Sequence, residues 1–441
     1  MKVKKDILVE EFIVHLENEL KLFSWRINSV YLWEIIRVNL YLEIIEKSKN
    51  GTFENNGNYT FIKGVFILFR RFFQNVILKN PFFIKNVDTV VLESGRKYLF
   101  DGNYIDIYTA FLEEQFIDKH ISYKYIETNF KYDIYSDKSK ATSHFDFFNF
   151  IVNVHSKLVT VSLNDNDLDL IKDIQKRIFD HFGINLDLKN VIIRKIKIFY
   201  TQRFWFDKFL KIKKVKKLFL VNYVDYFGII AAAKLNNVKC IELQHGLIIE
   251  ESLIYHFPNI KKDSLFYFPD EFYKWKNFKP ITGVLPVKKI LDNPYNHLEK
   301  MVDKYKKDSK DHFMILVASQ PFFSSILLSY VLCNAKAMVD YQFIYKLHPM
   351  EFDSFFSSTQ ARDLEMLPNV KVIKNEESVY KYLGICEFVI GIYSTVLFES
   401  SMFECKPLIL NIEGANYSKV LIDMCIAEEL NFSTPLNSKI K

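Results

Sequence analysis

Two parallel-sheet α/β domains are what this chain of 441 residues predicts, and three observations predict them. The C-terminal half alternates short apolar strand runs with helical runs, as a parallel sheet covered on both faces requires. The N-terminal half carries a second alternation of the same kind, interrupted by a helical insertion from about 147 to 214. A chain this long also exceeds what one hydrophobic core organises, and 42 Phe and 25 Tyr against 12 Gly supply apolar bulk for two.

The elements follow in order. Asp6 to about Glu46 reads as helical, with Ile7, Phe12, Leu16, Leu20 and Leu22 at mixed three- and four-residue spacings. Gly51 to Asn58 is a turn-rich break. Asp88 to Glu93 is the first strand, Ser94 to Gly102 the loop after it, Ile105 to Phe116 a helix and Ile121 to Ile126 a second strand. The helical insertion breaks near Leu163 to Asn166 and Gly183 to Asn185. Strands return at Leu218 to Val221, Val238 to Leu243, Leu265 to Phe268 and Ile281 to Val284, with a helix from Tyr226 to Leu235. Two prolines and no period from Val284 to Pro294 mark an interdomain linker. The expected domains are therefore 1–285 and 286–441. In the second, helices at Asn296 to Lys307, Phe323 to Met338, Ser378 to Leu383 and Thr395 to Phe403 alternate with strands at Phe313 to Ala318, Phe343 to Leu347, Val370 to Ile373, Phe388 to Ile390 and Pro407 to Leu410.

Composition narrows the class. With 49% hydrophobic and 25% charged residues the chain is neither disordered nor fibrous. Its five cysteines, Cys240, Cys333, Cys386, Cys405 and Cys425, show no CxxC or Cys/His spacing and read as buried free thiols of a reducing cytoplasm. No signal-peptide pattern opens the sequence, and no apolar run reaches the roughly 18 residues of a membrane span. The net charge of +6 is mild but concentrated. Lys63, Arg70 and Arg71 lie in an apolar run from 61 to 78, and Ile192 to Leu218 ends in a dense lysine cluster. Such helices either pack on a core with a solvated basic face or lie on an anionic bilayer at the inner face of the plasma membrane. No nucleic-acid module accompanies the charge.

The residues that carry chemistry sit where strands end. Phe343 to Leu347 runs into Lys346, His348 and Pro349, the proline stopping the ladder and shaping the turn. About one βα unit later, the strand at Phe388 to Ile390 gives way at Gly391 to Ser394 and Thr395, at a helix start with backbone N–H groups beside their hydroxyls. Both loops open at the edge of a parallel sheet where open α/β folds bind ligands. Glu399, one helical turn past Thr395, is placed to accept from a ribose diol. Phosphate donors from two loops and one carboxylate describe a nucleotide half-site. Each residue also has a local account: His348 caps a turn, Ser394 and Thr395 cap a helix, Glu399 favours the helix dipole, and Lys346 projects to solvent.

Gln244-His245-Gly246, the Lys346 to Pro349 run, and Ser394-Thr395 with Glu399, in that order, resemble the bacterial capsule and lipopolysaccharide group of GT-B glycosyltransferases. That group includes sialyltransferases, Kdo transferases and related polyol-phosphate polymerases. The resemblance covers about Leu218 to Ile412. It implies a GT-B-like fold, two Rossmann-type domains facing a cleft, with the acceptor domain first and the nucleotide-sugar domain second. It further implies that His348, Ser394 and Thr395 hold the phosphate of a CMP-linked donor, that Glu399 holds its ribose, and that Gln244, His245 and Gly246 lie near the sugar or acceptor. The expected partners are a nucleotide sugar and a glycan or lipid-linked oligosaccharide acceptor, with a CDP-polyol donor or a non-catalytic scaffold as alternatives.

Sugar transfer passes through an oxocarbenium-like state, so a base must take the acceptor's proton while positive groups stabilise the departing phosphate. The sequence offers no DxD cluster for a metal, and no cofactor is expected. For the base, Asp101, Asp106, Glu93 and His245 are weighed; Asp101 is the favoured one, and His245 is carried forward with it. Asp101 follows Arg96 in the loop after the first strand, and Arg96 is suited to a bidentate grip on a sugar carboxylate. A surface ion pair between Arg96 and Asp101 is the bland account.

Overall fold

A computed structural model describes residues 8–48, 72–128, 143–250, 252–276, 283–293, 296–352, 354–374 and 377–440. The turn-rich break at Gly51 to Asn58, and Lys63, Arg70 and Arg71, lie outside them. The chain divides into two compact units. One takes Met1–His245, Leu253–Lys279 and Gly283–Pro294; the other takes Gly246–Ser252, Pro280–Thr282 and Tyr295–Lys441.

The first unit opens with helices Val9–Glu19 and Leu32–Ser48. Between them lie a 3-10 turn and the two-stranded ribbon of β1 (Arg26–Ile27) and β2 (Val30–Tyr31), where Asn28 and Ser29 take positive φ. That left-handed pair breaks the long helix read from the sequence. The seven-stranded sheet uses β3 (Thr89–Leu92), β6 (Tyr123–Glu127), β7 (Ser143–His144), β8 (Lys217–Leu220), β9 (Lys239–Leu243), β10 (Glu271–Trp275) and β11 (Lys289–Asn293), in the order β11-β10-β9-β8-β3-β6-β7. Every pairing is parallel. The four residues of β3 are all buried, as a strand covered on both faces must be. The chain steps outward from β3 through β6 to β7, then returns to β8 on the other side of β3. The order therefore reverses between β3 and β8.

Four further expectations in this unit are corrected. Ser94 to Gly102 is no simple loop, and Ile105 does not open a helix. β4 (Lys97–Phe100) and β5 (Asn103–Asp106) form an antiparallel hairpin across Asp101 and Gly102, both with positive φ, and the helix starts at Leu112. Two left-handed residues match the twist of the flanking strands, which is why Asp-Gly favours such turns. The run Leu265 to Phe268 is not a strand. The backbone N–H groups of Phe266 and Tyr267 donate instead to the buried Glu34 carboxylate, at 3.0 and 2.8 Å. The connector read from Val284 to Pro294 contains β11, an edge strand of the first sheet.

The insertion forms three helices, Asp146–Ser156, Asp165–Phe182 and Leu188–Lys213. The last buries Ile192, Ile196, Phe199, Phe206, Phe209 and Leu210 and exposes Lys208 and Lys211. It packs closely on Phe227–Leu235, where a Cβ on Gly228 would sit 2.5 Å from the Phe199 carbonyl oxygen. One face of the basic helix thus packs on a core; of its last lysines, Lys208 and Lys211 are exposed, and Lys213 is buried with its ammonium on the Ile84 carbonyl at 2.8 Å. Among the described residues no helix is long and apolar enough to cross a membrane.

The second unit holds six parallel strands, β12 (Asp311–Ala318), β13 (Gln342–Lys346), β14 (Val370–Ile373), β15 (Cys386–Gly391), β16 (Lys406–Asn411) and β17 (Glu428–Asn431), ordered β14-β13-β12-β15-β16-β17. Its core joins Ile315, Val317, Phe343, Tyr345, Ile390 and Leu408 to Leu327 and Val331 of the Ser324–Ala337 helix. The order reverses between β12 and β15. The two-domain parallel-sheet α/β class read from the sequence is the observed one. Of the cysteines, Cys240, Cys386 and Cys405 are buried free thiols, whereas Cys333 and Cys425 are exposed.

Candidate functional site

Strand order brings the second unit's polar loops together. β13 pairs β12 with Lys346 opposite Ala318, and β15 pairs β12 from the other side with Ile390 opposite Val317. The loops carrying His348 and Ser394 therefore leave the same edge of the sheet on either side of β12, at its order reversal, where such sheets form a crevice. Glu351 joins them. Its buried carboxylate accepts from the His348 backbone N–H at 3.0 Å and from the Ser319 hydroxyl, just past β12, at 2.9 Å. Burial, with the Glu351 charge added, raises the Tyr393 phenol far above its ordinary value, so the carboxylate is felt at the residue before Ser394. Phe323 and Tyr393 meet edge to face at 5.8 Å, and a Cβ on Gly414 (φ +91°) would strike the Phe323 ring at 2.5 Å. Glycine is required there twice over, by conformation and by contact.

The individual groups are oriented as follows. His348 caps the turn Pro349–Glu351, its Nδ1 accepting from the Met350 N–H at 3.3 Å. A neutral ring that accepts at Nδ1 carries its proton on Nε2, where it is a hydrogen-bond donor. Ser394 is the N-cap of helix Thr395–Met402, its hydroxyl accepting from the Val396 N–H at 3.3 Å. Ser394 and Thr395 are half-buried, whereas Glu399 is buried in the packed part of that helix. The Lys346 ammonium turns to the Lys374 carbonyl and lies 5.7 Å from the Phe352 ring centre, so it does not project to solvent from the strand end.

At the edge of the first sheet the groups are mainly carboxylates. Glu93 and Glu127 follow paired positions of β3 and β6 and are buried, with the Lys97 ammonium bonded to Glu93 and 3.7 Å from Glu127. Burial lowers the Lys97 pKa, but Glu93, Glu127 and Asp106 outweigh it and raise it on balance. One ammonium among three carboxylates leaves Glu93 its proton: burial holds that carboxyl up to about 8. Asp106, also buried, organises the loop before it, accepting from the Ser94 hydroxyl at 2.6 Å and the Gly95 N–H at 2.9 Å, as well as from Thr109.

His245 follows β9. Its carbonyl accepts from the Tyr108 hydroxyl at 2.8 Å, and Arg96 donates to that same phenol at 2.8 Å. Arg96 and His245, chosen separately from the sequence, are thus linked through one side chain. The ring Nδ1 lies 3.1 Å from the Tyr255 hydroxyl, which donates to the buried Glu242 carboxylate. Burial, with the Arg96 charge added, pushes the imidazole down to about 3, so the ring is neutral at ordinary pH. Gln244 is buried, and its Oε1 accepts from the Trp275 N–H at 2.8 Å, fixing the loop to β10. An added Cβ at Gly246 would meet nothing within 4 Å. Asp101 stands exposed at the hairpin tip, where its left-handed backbone accounts for its identity. His256 accepts at Nδ1 from the Val284 N–H at 3.2 Å.

Ser319, Glu351, Glu242, Tyr255 and Tyr108 escaped the sequence reading. Glu351 alone left a signal, standing three residues after His348 as a capping box requires. Ser319 and Tyr108 become partners only through the tertiary fold, and Glu242 and Tyr255 only where the segment after β9 folds back.

The sequence matches no protein-family model, and no curated protein matches it. Solved structures similar to the chain include the UDP-GlcNAc 2-epimerase of Methanocaldococcus jannaschii, at 9% identity and TM-score 0.45, covering 78% of this chain and 89% of that one. The Acinetobacter baumannii MurG (11%, TM-score 0.41, 79% and 88%) and a glycosyltransferase from Rickettsia africae (12%, TM-score 0.41, 80% and 87%) are similar to the same degree. A likeness of this depth assigns neither donor nor reaction.

Proposed function

We propose that this chain is a glycosyltransferase that takes a sugar from a nucleotide donor, CMP-linked and acidic, and adds it to a bacterial surface glycan or lipid-linked oligosaccharide. One observation carries the reading. His348, with Nε2–H as a donor on a loop that Glu351 ties to Ser319, and the capped helix start at Ser394 and Thr395 flank the order reversal of the second sheet. Donors of this kind suit a phosphate. Lys346 and Glu399 are secondary in this reading, because one is turned to a carbonyl and the other is buried.

In the reaction, the acceptor hydroxyl attacks the anomeric carbon while its proton passes to a base. The bond from that carbon to the phosphate oxygen breaks, and its electron pair leaves with the nucleotide. A single displacement inverts the anomeric centre. His348 and the helix start steady the growing phosphate charge. Of the two bases named, His245 is favoured on its placement, its ring oriented by Tyr255 and its loop tied through Tyr108 to Arg96; Asp101 is the second.

Calorimetry with CMP, CDP and UDP, followed by turnover with CMP-ulosonic acids, CDP-polyols and UDP-sugars, tests the proposal. CMP release from a CMP-sugar is expected. Turnover with a CDP-polyol alone reassigns the chain to polyol-phosphate transfer, and the absence of both binding and turnover leaves a scaffold.

A further inference from the structure

We propose that Tyr255 and Glu242 are positioning residues that lock the His245 ring with its proton on Nδ1 and its lone pair on Nε2. What that lone pair does in catalysis rests on the transferase reading above; the lock itself does not.

The argument follows the protons. Glu242, in β9, is fully buried, and its Oε1 accepts from the backbone N–H groups of Asn222 at 3.0 Å and Tyr223 at 3.3 Å. The Tyr255 hydroxyl donates to that same oxygen. A phenol has one proton, so once it is given to Glu242 the oxygen can only accept from His245 Nδ1, 3.1 Å away. Nδ1 must then carry the ring's proton.

The direction survives protonation of the carboxyl. Burial holds Glu242 up to about 8, and a proton taken up there goes to Oε2, because Oε1 already receives three donors. Oε2 is buried with no hydrogen-bond partner among the described residues, an environment that favours the protonated oxygen over a bare charge. Tyr255 therefore donates to Oε1 in both states.

Both rings are held. Tyr255 packs on Phe272 at 5.4 Å and Tyr223 at 5.9 Å, and the Tyr223 hydroxyl is tied to the Ile254 carbonyl at 2.7 Å. The His245 backbone is fixed by Tyr108.

Nitrogen-15 NMR of the full chain labelled at histidine tests the lock, with the His245 signals identified by their loss in His245→Asn. Wild-type Nδ1 is expected to resonate as a protonated nitrogen and Nε2 as a bare one, and Tyr255→Phe should mix the two forms. In turnover, Tyr255→Phe should lower kcat about tenfold or more at unchanged KM for the donor. Glu242→Gln, whose amide oxygen accepts the same three donors, should recover most of the rate lost in Glu242→Leu. A bare Nδ1 in the wild type would overturn the proposal whatever the kinetics. A protonated Nδ1 in a chain that turns over no nucleotide sugar would uphold the lock and remove the transferase reading.

Discussion

The two sheets end in the same way and put the ending to different use. At the carboxyl edge of the first, ionisable groups are buried against one another: Glu93, Glu127 and Asp106 around Lys97, and Glu242 beneath Tyr255. At the edge of the second, His348, Ser394 and Thr395 are half-buried, and His348 and Ser394 accept local hydrogen bonds that fix their orientation. Burial shifts proton affinity because it penalises charge, whereas local capping sets the direction in which a group points. One edge is arranged to control where protons reside, the other to present donors.

The largest effect expected from breaking this contrast is at Lys97. Lys97→Met strands buried carboxylates, and removing one partner from such a site costs about 3–5 kcal/mol; chemical denaturation measures it. The same change at an exposed lysine of the second unit, such as Lys371, should cost at most about 1 kcal/mol.

Next is pH. A buried acid whose folded pKa is raised takes up protons on folding, so its contribution is greatest below its unfolded value and is lost as pH rises through the folded one. Burial raises Glu34 to about 7 and Glu242 to about 8. The depressed histidines His144, His245 and His297 act in the opposite sense, but only below their ordinary value of 6.5. Tm should therefore fall between pH 6.5 and 8.5, less steeply in Glu242→Gln. A Tm that rises over this range would contradict the buried-acid account.

A smaller change sharpens the second edge. His348→Ala should weaken nucleotide binding about 10- to 100-fold, the range of a hydrogen bond to a charged group, at unchanged stability of the first unit. Affinity equal to wild type by calorimetry would remove His348 from the phosphate. Smallest is Asp101→Asn. Asn tolerates left-handed backbone, so stability should move within about 0.5 kcal/mol. A hundredfold loss of turnover there would transfer the base from His245 to Asp101.

Much of this was legible in the letters, for reasons that differ by region. The second unit's strands from Phe313 to Leu410 read correctly because both faces are covered, which writes uninterrupted apolar runs between helical ones. Glu428–Asn431 was missed: an edge strand of Glu, Glu, Leu and Asn has no such run. In the first unit, Ile105 and the residues after it suggested a helix, and the turn chemistry of Asp101-Gly102 outweighed that pattern. Candidate residues at strand ends were found because proline and glycine punctuate strand ends. Their partners were not, since Ser319 and Glu351 meet only after strand order is set, and Tyr255 meets His245 only where the segment after β9 folds back on itself.

Arg37 has a consequence for the amino-terminal helices. Almost wholly buried, it pairs with Glu17 and donates to the carbonyls of Leu253 and His256, the latter at 2.9 Å. Those carbonyls bracket Tyr255. The opening helices therefore act as a fastener for the phenol that faces His245, although they lie far from it in the sequence.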